Sequence, residues 1–234
     1  MIAELISVGT ELLLGNIVNT NACYLSRKCA ELGYALYHEI TVGDNEARLC
    51  EAINTALSRA DVVILTGGLG PTEDDITKQA VAKVLNKNLV TDEDSRRKIE
   101  EYFKFRYQDN PKHTISENNW KQALKIEGCT VVGNNNGTAP GYIVEHNSKV
   151  IILLPGPPSE MIPMFEASIK PYLQKRQNKI FFSNMVKICG IGESKAEADI
   201  IDMIKAQSNP TIAPYAKDGE VHFRITASAD NEEE

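Results

Sequence analysis

Short apolar runs alternate with amphipathic segments along the first three quarters of the chain. The predicted strands include residues 3–8, 35–42, 61–65 and 149–154. After the first three of these, apolar residues recur every three or four positions, which is the spacing of a helix with one buried face. Strands that alternate with helices predict an α/β fold with a doubly wound, mostly parallel sheet that helices cover on both sides.

The pattern changes near residue 175, where a smaller unit begins. Its predicted order is strand, helix, strand, strand, over residues 179–188, 194–205, 211–214 and 220–227. Such an arrangement predicts a small α+β unit, near the lower size limit for independent folding. We therefore predict two domains, residues 1–175 and residues 179–229.

Glycine-rich or proline-rich turns follow three of the predicted strands. These turns occupy residues 9–15, 67–75 and 155–160. In a parallel sheet, ligands bind where the carboxyl ends of the strands meet. We therefore expect the three turns to lie together and to form one site.

The turn at residues 67–75, with the sequence GGLGPTEDD, carries the clearest chemistry. Its glycines let backbone N–H groups approach an anion, and the helix that follows adds a partial positive charge. Glu73, Asp74 and Asp75 would repel a phosphate unless a divalent cation lay between them. The turn thus predicts a metal-assisted site for a phosphate or pyrophosphate compound. An acidic cap on an ordinary helix explains the same residues, and the turn alone does not decide between the two.

Composition narrows the classes of function. The net charge of −7 and the pI of about 5.3 disfavour nucleic-acid binding, which needs a basic surface. The five cysteines are scattered without a C-x-x-C pair, so no zinc site is predicted and free thiols in a reducing cytoplasm are expected. No apolar run is long enough to span a membrane, and the amino terminus lacks the basic segment of a signal peptide.

Several motifs resemble those of the competence/damage-inducible CinA family. In the first domain they are GTELLLGNIVNTN at residues 9–21, GGLGPTEDDIT at 67–77, GTAPG at 137–141 and LPGPPSE at 154–160. In the second they are GIGES at residues 190–194 and PTIAPY at 210–215. The resemblance covers essentially the whole chain. It implies a molybdopterin-binding (MoCF-like) domain followed by a small KH-like domain.

The resemblance also implies an activity. It implies an ADP-ribose pyrophosphatase that releases AMP and ribose 5-phosphate, needs Mg²⁺ (or Mn²⁺ or Co²⁺) with K⁺ as a further candidate, and forms a homodimer. Many CinA proteins carry an amidase domain after the KH-like unit; this chain stops there, so no amidase is assigned to its residues.

Three alternatives stay open. One is a module that binds molybdopterin or a nucleotide without hydrolysis. Another is RNA binding by the KH-like unit, which is disfavoured because residues 190–193 lack the G-x-x-G loop and add the acidic Glu193. The third is a regulatory or dimerising role for that unit.

Candidate site residues follow from the three turns and from the family motifs. Asp74, Asp75 and Glu160 are the expected catalytic and metal-binding carboxylates, and which of them is the base is left open. Glu11 is a fourth acid on the same face. For Asn19, helix capping is the leading alternative. For Thr77, a hydrogen bond to its own helix backbone is an equal alternative. The expected substrate-binding residues are Glu11, Asn19, Asn21, Thr66, Gly67, Gly68, Gly70, Thr77, Gly137, Ala139, Pro140, Pro155, Gly156 and Pro158.

Overall fold

The computed structural model describes residues 1–107, 115–177, 180–217 and 219–230. These residues divide into two compact units. One unit contains residues 1–29 and 34–173, and the other contains residues 30–33 and the described part of 174–234. Residue 179, where the second predicted domain starts, lies outside the described residues.

The first unit is an α/β sandwich whose elements follow the predicted alternation. Its strands are β1 (Ile2–Val8), β2 (Ala35–Val42), β3 (Val62–Thr66), β4 (Leu89–Thr91), β5 (Leu124–Ile126), β6 (Thr130–Val132), β7 (Gly141–His146) and β8 (Lys149–Leu154). Its helices are α1 (Thr10–Leu13), α2 (Thr20–Glu31), α3 (Glu46–Arg59), α4 (Thr77–Val84), α5 (Glu93–Arg106), α6 (Pro158–Met164) and α7 (Lys170–Arg176). A 3-10 helix (Glu117–Ala123) precedes β5, and a π-helical turn (Phe165–Ile169) joins α6 to α7.

The main sheet has the strand order β2-β1-β3-β8-β7-β6. The first four strands are parallel, and β7 and β6 are antiparallel to their neighbours. The predicted doubly wound, mostly parallel sheet is therefore confirmed. Strand β3 lies in the middle of the sheet and is buried along its whole length. The turn that follows it accordingly opens near the centre of the sheet's carboxyl edge.

Successive side chains of each strand point to opposite faces of the main sheet, so the sheet packs against a separate core on each face. Val63 and Leu65 of β3 point to the face covered by α3 and α4, where they pack with Ile53 and Val81. The other residues of the strand point to the opposite face, because successive side chains of a strand alternate. Asn45 caps the start of helix α3, because its side chain accepts a hydrogen bond from the backbone N–H of Arg48.

The second unit is small and β-rich. Its elements are β9 (Ile180–Cys189), α8 (Glu193–Asp199), α9 (Ile201–Ala206), β10 (Thr211–Lys217) and β11 (Glu220–Ala229). The three strands form an antiparallel sheet in the order β10-β11-β9. Val221 and Phe223 of β11 are buried together with Ala196 of α8. The core is small, as expected for a unit of this size.

The structure departs from the predicted elements most clearly in two places. The single helix predicted at residues 194–205 is divided into α8 and α9. Strands β4 and β5, which pair with each other as a separate ribbon, were not predicted. They are only three residues long and lack a repeated alternation, so the sequence gives little signal for them. In the described part of the chain, no helix has the length and apolar character that crossing a membrane requires.

Candidate active site

A cavity of about 760 Å³ opens at the carboxyl edge of the main sheet. This volume lies in the usual range for small-molecule sites. All three turns contribute to its wall, as the sequence predicts. The expected site residues that line it are Glu11, Asn19, Asn21, Thr66, Gly67, Gly68, Gly70, Asp74, Asp75, Ala139, Pro155, Gly156, Pro158 and Glu160.

The glycine turn after β3 requires glycine at two successive positions. Gly67 has φ 95° and Gly68 has φ 66°, values in the left-handed region that residues with a side chain rarely adopt. A Cβ at Gly67 would collide with the carbonyl oxygen of Val8, and one at Gly68 with the hydroxyl of Thr77. The cavity floor is thus bare backbone, which a ligand can approach closely.

Thr77 supports this turn from below and does not line the cavity. Its hydroxyl donates a hydrogen bond to the carbonyl oxygen of Gly67 at 2.8 Å, and its backbone N–H donates to that of Gly68 at 3.1 Å. The side chain is completely buried. The structure therefore gives Thr77 the backbone-bonding role and not contact with a ligand. Gly137 and Pro140, also expected at the site, do not line the cavity either.

Asp74 and Asp75 lie at the lip of the cavity, at the end of the same turn. One oxygen of Asp75 accepts hydrogen bonds from the Thr72 backbone N–H, at 2.9 Å, and from the Thr72 hydroxyl. Asp74 is exposed, and the nearby Thr72 hydroxyl lowers the pKa of its carboxyl group. Lys121 fixes the loop by donating to the carbonyl oxygen of Thr72.

Glu160 lies in the first turn of α6, after β8, and is bonded to a different loop. Its Oε2 accepts a hydrogen bond of 2.6 Å from Nδ2 of Asn134, which also donates to the carbonyl oxygen of Ala139 at 2.8 Å. Nδ2 of Asn136 donates to the carbonyl oxygen of Ser159 at 2.7 Å. These bonds attach the loop before β7 to the start of α6.

A glycine lies directly against each of three acidic side chains. A Cβ at Gly9 would come within 2.5 Å of a carboxylate oxygen of Glu11, and one at Gly70 within 2.5 Å of Oδ2 of Asp75. A Cβ at Gly137 would likewise collide with the carboxylate of Glu160. The family motifs therefore place a glycine where each acid needs the space. This is the role of Gly137, although it does not itself line the cavity.

The residues at the start of α2 form the opposite wall. Asn19 caps the helix, because its Oδ1 accepts a hydrogen bond from the backbone N–H of Ala22 at 3.1 Å, and its Nδ2 donates to the Ser7 hydroxyl at 2.8 Å. Nδ2 of Asn21 donates to the carbonyl oxygen of Gly156 at 2.7 Å. Oδ1 of Asn21 is buried and has no hydrogen-bond partner among the described residues.

Two family models match the chain. Residues 4–175 match the family described as a probable molybdopterin binding domain, and residues 183–234 match the damage-inducible protein CinA KH domain. The solved structure of a CinA protein of unknown function from Thermoplasma acidophilum is similar, with a TM-score of 0.67 and 33% identity. The match covers 73% of this chain and 98% of that one.

The chain belongs to the CinA family. It is 55% identical to a competence-damage inducible protein of Clostridium beijerinckii and 54% identical to a CinA-like protein of Dictyoglomus turgidum. Both matches cover all of this chain and 56% of the relative. The chain thus spans little more than half the length of these relatives, and the resemblance seen in its motifs is confirmed.

Some residues that line the cavity were not predicted from the sequence. Asp44 lines it and accepts hydrogen bonds from the backbone N–H and hydroxyl of Thr10, at 2.9 and 2.7 Å. Its place just after β2 was a usable signal, because the other site acids also follow strands. Thr138 and Gln122 line the cavity too. Gln122 comes from the 3-10 helix, and its position depends on tertiary contacts that no local pattern reveals.

Lys78 of α4 holds that 3-10 helix in place. Its Nζ donates to the carbonyl oxygens of Lys121 and Leu124, at 2.7 and 2.8 Å, and lies 3.4 Å from the hydroxyl of Tyr142. Burial lowers the pKa of Lys78 to about 7, and the charge of Lys121 acts in the same direction.

The carboxylates that line the cavity meet the requirements of a metal ion only in part. No group of three or more His, Cys, Asp or Glu side chains in the described residues is placed to hold a metal. The expected set of Asp74, Asp75 and Glu160 is therefore not assembled around one point. Mg²⁺ needs only one or two carboxylates when substrate phosphates supply the other oxygens, and both Asp74 and Asp75 line the cavity.

Proposed function

We propose that this CinA-family chain hydrolyses the diphosphate bond of ADP-ribose, giving AMP and ribose 5-phosphate. The observation that carries the proposal is that Asp74 and Asp75 line the same cavity as the glycine turn at residues 67–70. A turn of bare backbone suits phosphate oxygens, and adjacent carboxylates suit a cation shared with those oxygens. The choice of ADP-ribose comes from the family resemblance.

Each part of the cavity has its own task in this proposal. Gly67 and Gly68 place backbone against the diphosphate, and Asp74 and Asp75 hold the cation. Mg²⁺ is the first candidate, Mn²⁺ and Co²⁺ are alternatives, and K⁺ is a further candidate; a bound divalent ion would neutralise charge that develops on the phosphate oxygens. A carboxylate at the cavity orients or deprotonates the attacking water, for which Glu160 and Asp75 are both candidates.

The second candidate is a module that binds molybdopterin or a nucleotide without hydrolysing it. The lack of a three-acid cluster among the described residues favours this reading, as does the family description of residues 4–175. Both candidates use the same cavity, and only the first needs the acids for turnover. Homodimerisation is a separate proposal that rests on the family resemblance alone.

The test measures AMP and ribose 5-phosphate released from ADP-ribose with Mg²⁺, Mn²⁺ or Co²⁺, with and without K⁺, for the wild type and for Asp75→Ala. Metal-dependent products that disappear in the variant support hydrolysis. If no metal gives turnover while calorimetry detects binding of ADP-ribose or of a pterin, the binding module replaces it.

A further inference from the structure

The segment between α1 and α2 exposes a cluster of apolar side chains at the mouth of the cavity. The exposed fractions are 57% for Leu13, 69% for Leu14, 52% for Ile17 and 82% for Val18. Single apolar residues are ordinary on a protein surface, whereas a cluster of them commonly marks a binding surface. Ile17 and Val18 line the cavity together with the half-buried Leu12, and Leu13 and Leu14 do not. This part of the wall is therefore both apolar and open to a ligand.

Backbone hydrogen bonds hold the first half of this segment in one shape. The N–H of Gly15 donates to the carbonyl oxygen of Leu12 at 3.2 Å, and the N–H of Asn16 donates to that of Glu11 at 3.0 Å. With φ 71° at Gly15, these bonds form the Schellman motif that ends α1. The segment cannot fold back over its own apolar side chains without breaking these bonds.

Both ends of the segment are fixed to the main sheet. At its start, Thr10 donates from its backbone N–H and from its hydroxyl to Asp44, which follows β2. At its end, Asn19 donates to the hydroxyl of Ser7, near the carboxyl end of β1. The segment therefore runs from the β2 side of the cavity back to β1. Because it is preorganised, little ordering is needed when a ligand covers it.

The glycine turn at residues 67–70 lies on the other side of β1 from Asp44. Strand β1 pairs with β2 along one edge and with β3 along the other, and Gly67 at the end of β3 lies against the carbonyl oxygen of Val8. Neighbouring strands are about 4.8 Å apart, so the ends of β2 and β3 are separated by about 10 Å. A ligand with its phosphates on the glycine turn would reach the apolar segment with the organic group attached to them.

The side chains of Ile17 and Val18 discriminate between kinds of organic group. They have no hydrogen-bond donor or acceptor, so they cannot satisfy the hydroxyl groups of a sugar. A hydroxyl group buried against them without a partner would be unfavourable. The flat faces of a nucleobase are largely apolar, and covering them with aliphatic side chains is favourable. The segment therefore suits a base better than a sugar.

We propose that Ile17 and Val18 form the base subsite of the cavity, against which the adenine of the diphosphate substrate packs. This inference rests on the proposed function for the placement of the phosphates on the glycine turn. It also gives the substrate a direction. The AMP half lies on the β1 and β2 side of the turn, and the ribose 5-phosphate half lies on the β8 side.

The test compares two matched double variants of the same segment. Ile17→Ser/Val18→Ser removes the exposed apolar side chains that line the cavity, and Leu13→Ser/Leu14→Ser removes the similarly exposed ones that do not. Calorimetry with Mg²⁺ measures the affinity of two probes that resist hydrolysis. One is α,β-methylene ADP-ribose, and the other is its base-free analogue, in which a hydroxyl group replaces adenine.

We expect Ile17→Ser/Val18→Ser to weaken binding of the base-containing probe by about tenfold, the effect of leaving roughly 60 Å² of apolar surface uncovered. Its affinity for the base-free probe should equal that of the wild type. Leu13→Ser/Leu14→Ser should bind both probes as the wild type does. The melting temperatures of both variants should stay at the wild-type value, because the replaced side chains are exposed.

Nuclear magnetic resonance of the methyl-labelled wild type gives a second readout that depends on no variant. With the base-containing probe bound, the methyl groups of Ile17 and Val18 should show nuclear Overhauser effects to the protons of adenine. The methyl groups of Leu13 and Leu14 should show none. The base-free probe should leave the methyl shifts of Ile17 nearly unchanged.

Three results would overturn the inference: unchanged affinity of Ile17→Ser/Val18→Ser for the base-containing probe, equal weakening of both probes, or no contact between adenine and the Ile17 and Val18 methyl groups. If the substitutions leave probe affinity unchanged but convert dimers to monomers in sedimentation, the apolar cluster is instead an interface between copies of this chain.

These outcomes are separate from the fate of the proposed function, because neither probe needs to be cleaved. A wild type that shows the adenine contacts without cleaving ADP-ribose keeps the inference and removes the hydrolysis. Cleavage with the same kcat/KM in the wild type and in Ile17→Ser/Val18→Ser does the reverse. A wild type that binds neither probe and cleaves nothing removes both.

Discussion

The two acidic edges of the cavity look alike in sequence and differ in what holds their carboxylates. The β3 edge (residues 67–75) and the β8 edge (residues 155–160) both follow a buried strand, contain glycine and end in acid. At the β3 edge, the hydrogen bonds of the Asp75 carboxylate to described residues stay within its own loop, at Thr72, and Asp74 is exposed. At the β8 edge, Glu160 is bonded to Asn134, in a different loop.

This difference allows the acids of the two edges to be ranked, which the sequence alone does not allow. Asp74 is exposed and therefore accessible to a cation, whereas the hydrogen bond of Glu160 to Asn134 joins two loops. We therefore expect catalysis to depend on the β3 edge, and the β8 edge to shape the cavity. The following predictions assume the proposed hydrolysis and compare the two edges.

The largest effect is expected from Asp75→Asn. Asparagine keeps an oxygen that accepts both hydrogen bonds from Thr72, so the loop should hold its shape while the charge is lost. We expect kcat for ADP-ribose to fall by about 100-fold or more, the scale on which a group that stabilises transition-state charge contributes. Initial rates of AMP release at saturating metal measure it.

Asp94→Asn is the matched control for this variant. Asp94 is an exposed acid on α5, outside the cavity, and is paired with Arg97. Its kcat should equal that of the wild type. Retention of more than a tenth of wild-type activity in Asp75→Asn would show that the β3 edge does not supply the essential charge.

A smaller effect is expected from alanine at the glycines beneath the acids. Gly70→Ala would push against Asp75, and Gly137→Ala would push against Glu160. Misplacing a catalytic group by a fraction of an ångström is costly, so we expect Gly70→Ala to lower kcat by about tenfold. Gly137→Ala should lower it by about threefold or less, with a rise in KM. The reverse order would make Glu160 the more important acid.

The sequence predicted the fold better than it predicted these contacts. Strand and helix periodicity, together with the turns at the strand ends, were enough for the sheet and for the meeting of residues 9–15, 67–75 and 155–160. Periodicity reports which side of an element is buried, and that is sufficient to assemble layers. It carries no information on what a side chain at a loop touches.

The errors and omissions at the site share this cause. Thr77 was an expected substrate-binding residue with a backbone hydrogen bond as its alternative, and in the structure its hydroxyl donates to the carbonyl oxygen of Gly67. Gln122 gave no signal, because its place depends on Lys78, which is 44 positions earlier in the chain. The bond between Glu160 and Asn134 joins distant loops and was equally invisible.

The buried amine of Lys78, which anchors the segment next to the β3 edge, should make the stability of the protein depend on pH. Its pKa is about 7 in the folded protein and near 10.5 in an unfolded chain, so between these values the unfolded state binds more protons. The free energy of unfolding should therefore rise with pH over that interval, by up to about 1.4 kcal/mol per pH unit from this group, and the gain is lost as the pH falls towards 7.

Lys78→Met should remove this contribution. Urea denaturation of both proteins at several pH values between about 7 and 10 gives the two slopes, and the difference isolates Lys78 from other titrating groups. The kcat of the variant should also fall by about threefold. In the wild type, Lys78 anchors the backbone of Lys121, and the side chain of Lys121 in turn holds the loop at Thr72. Equal slopes would mean that Lys78 does not lose its charge in the folded state.

The smallest effect is expected from Glu160→Gln, and it is the most informative about the β8 edge. The glutamine oxygen can still accept the hydrogen bond from Asn134 that the carboxylate accepts now, so the bridge between the two loops should survive. If Glu160 is structural, kcat should change by less than about threefold and its pH profile should stay the same. If Glu160 is the general base, neutralising it should lower kcat by about 100-fold or more and remove the acidic limb of the profile, even though the loops remain in place. Rates measured from about pH 5 to 9 with saturating metal distinguish the two, because only the loss of a titrating base changes the shape of the curve.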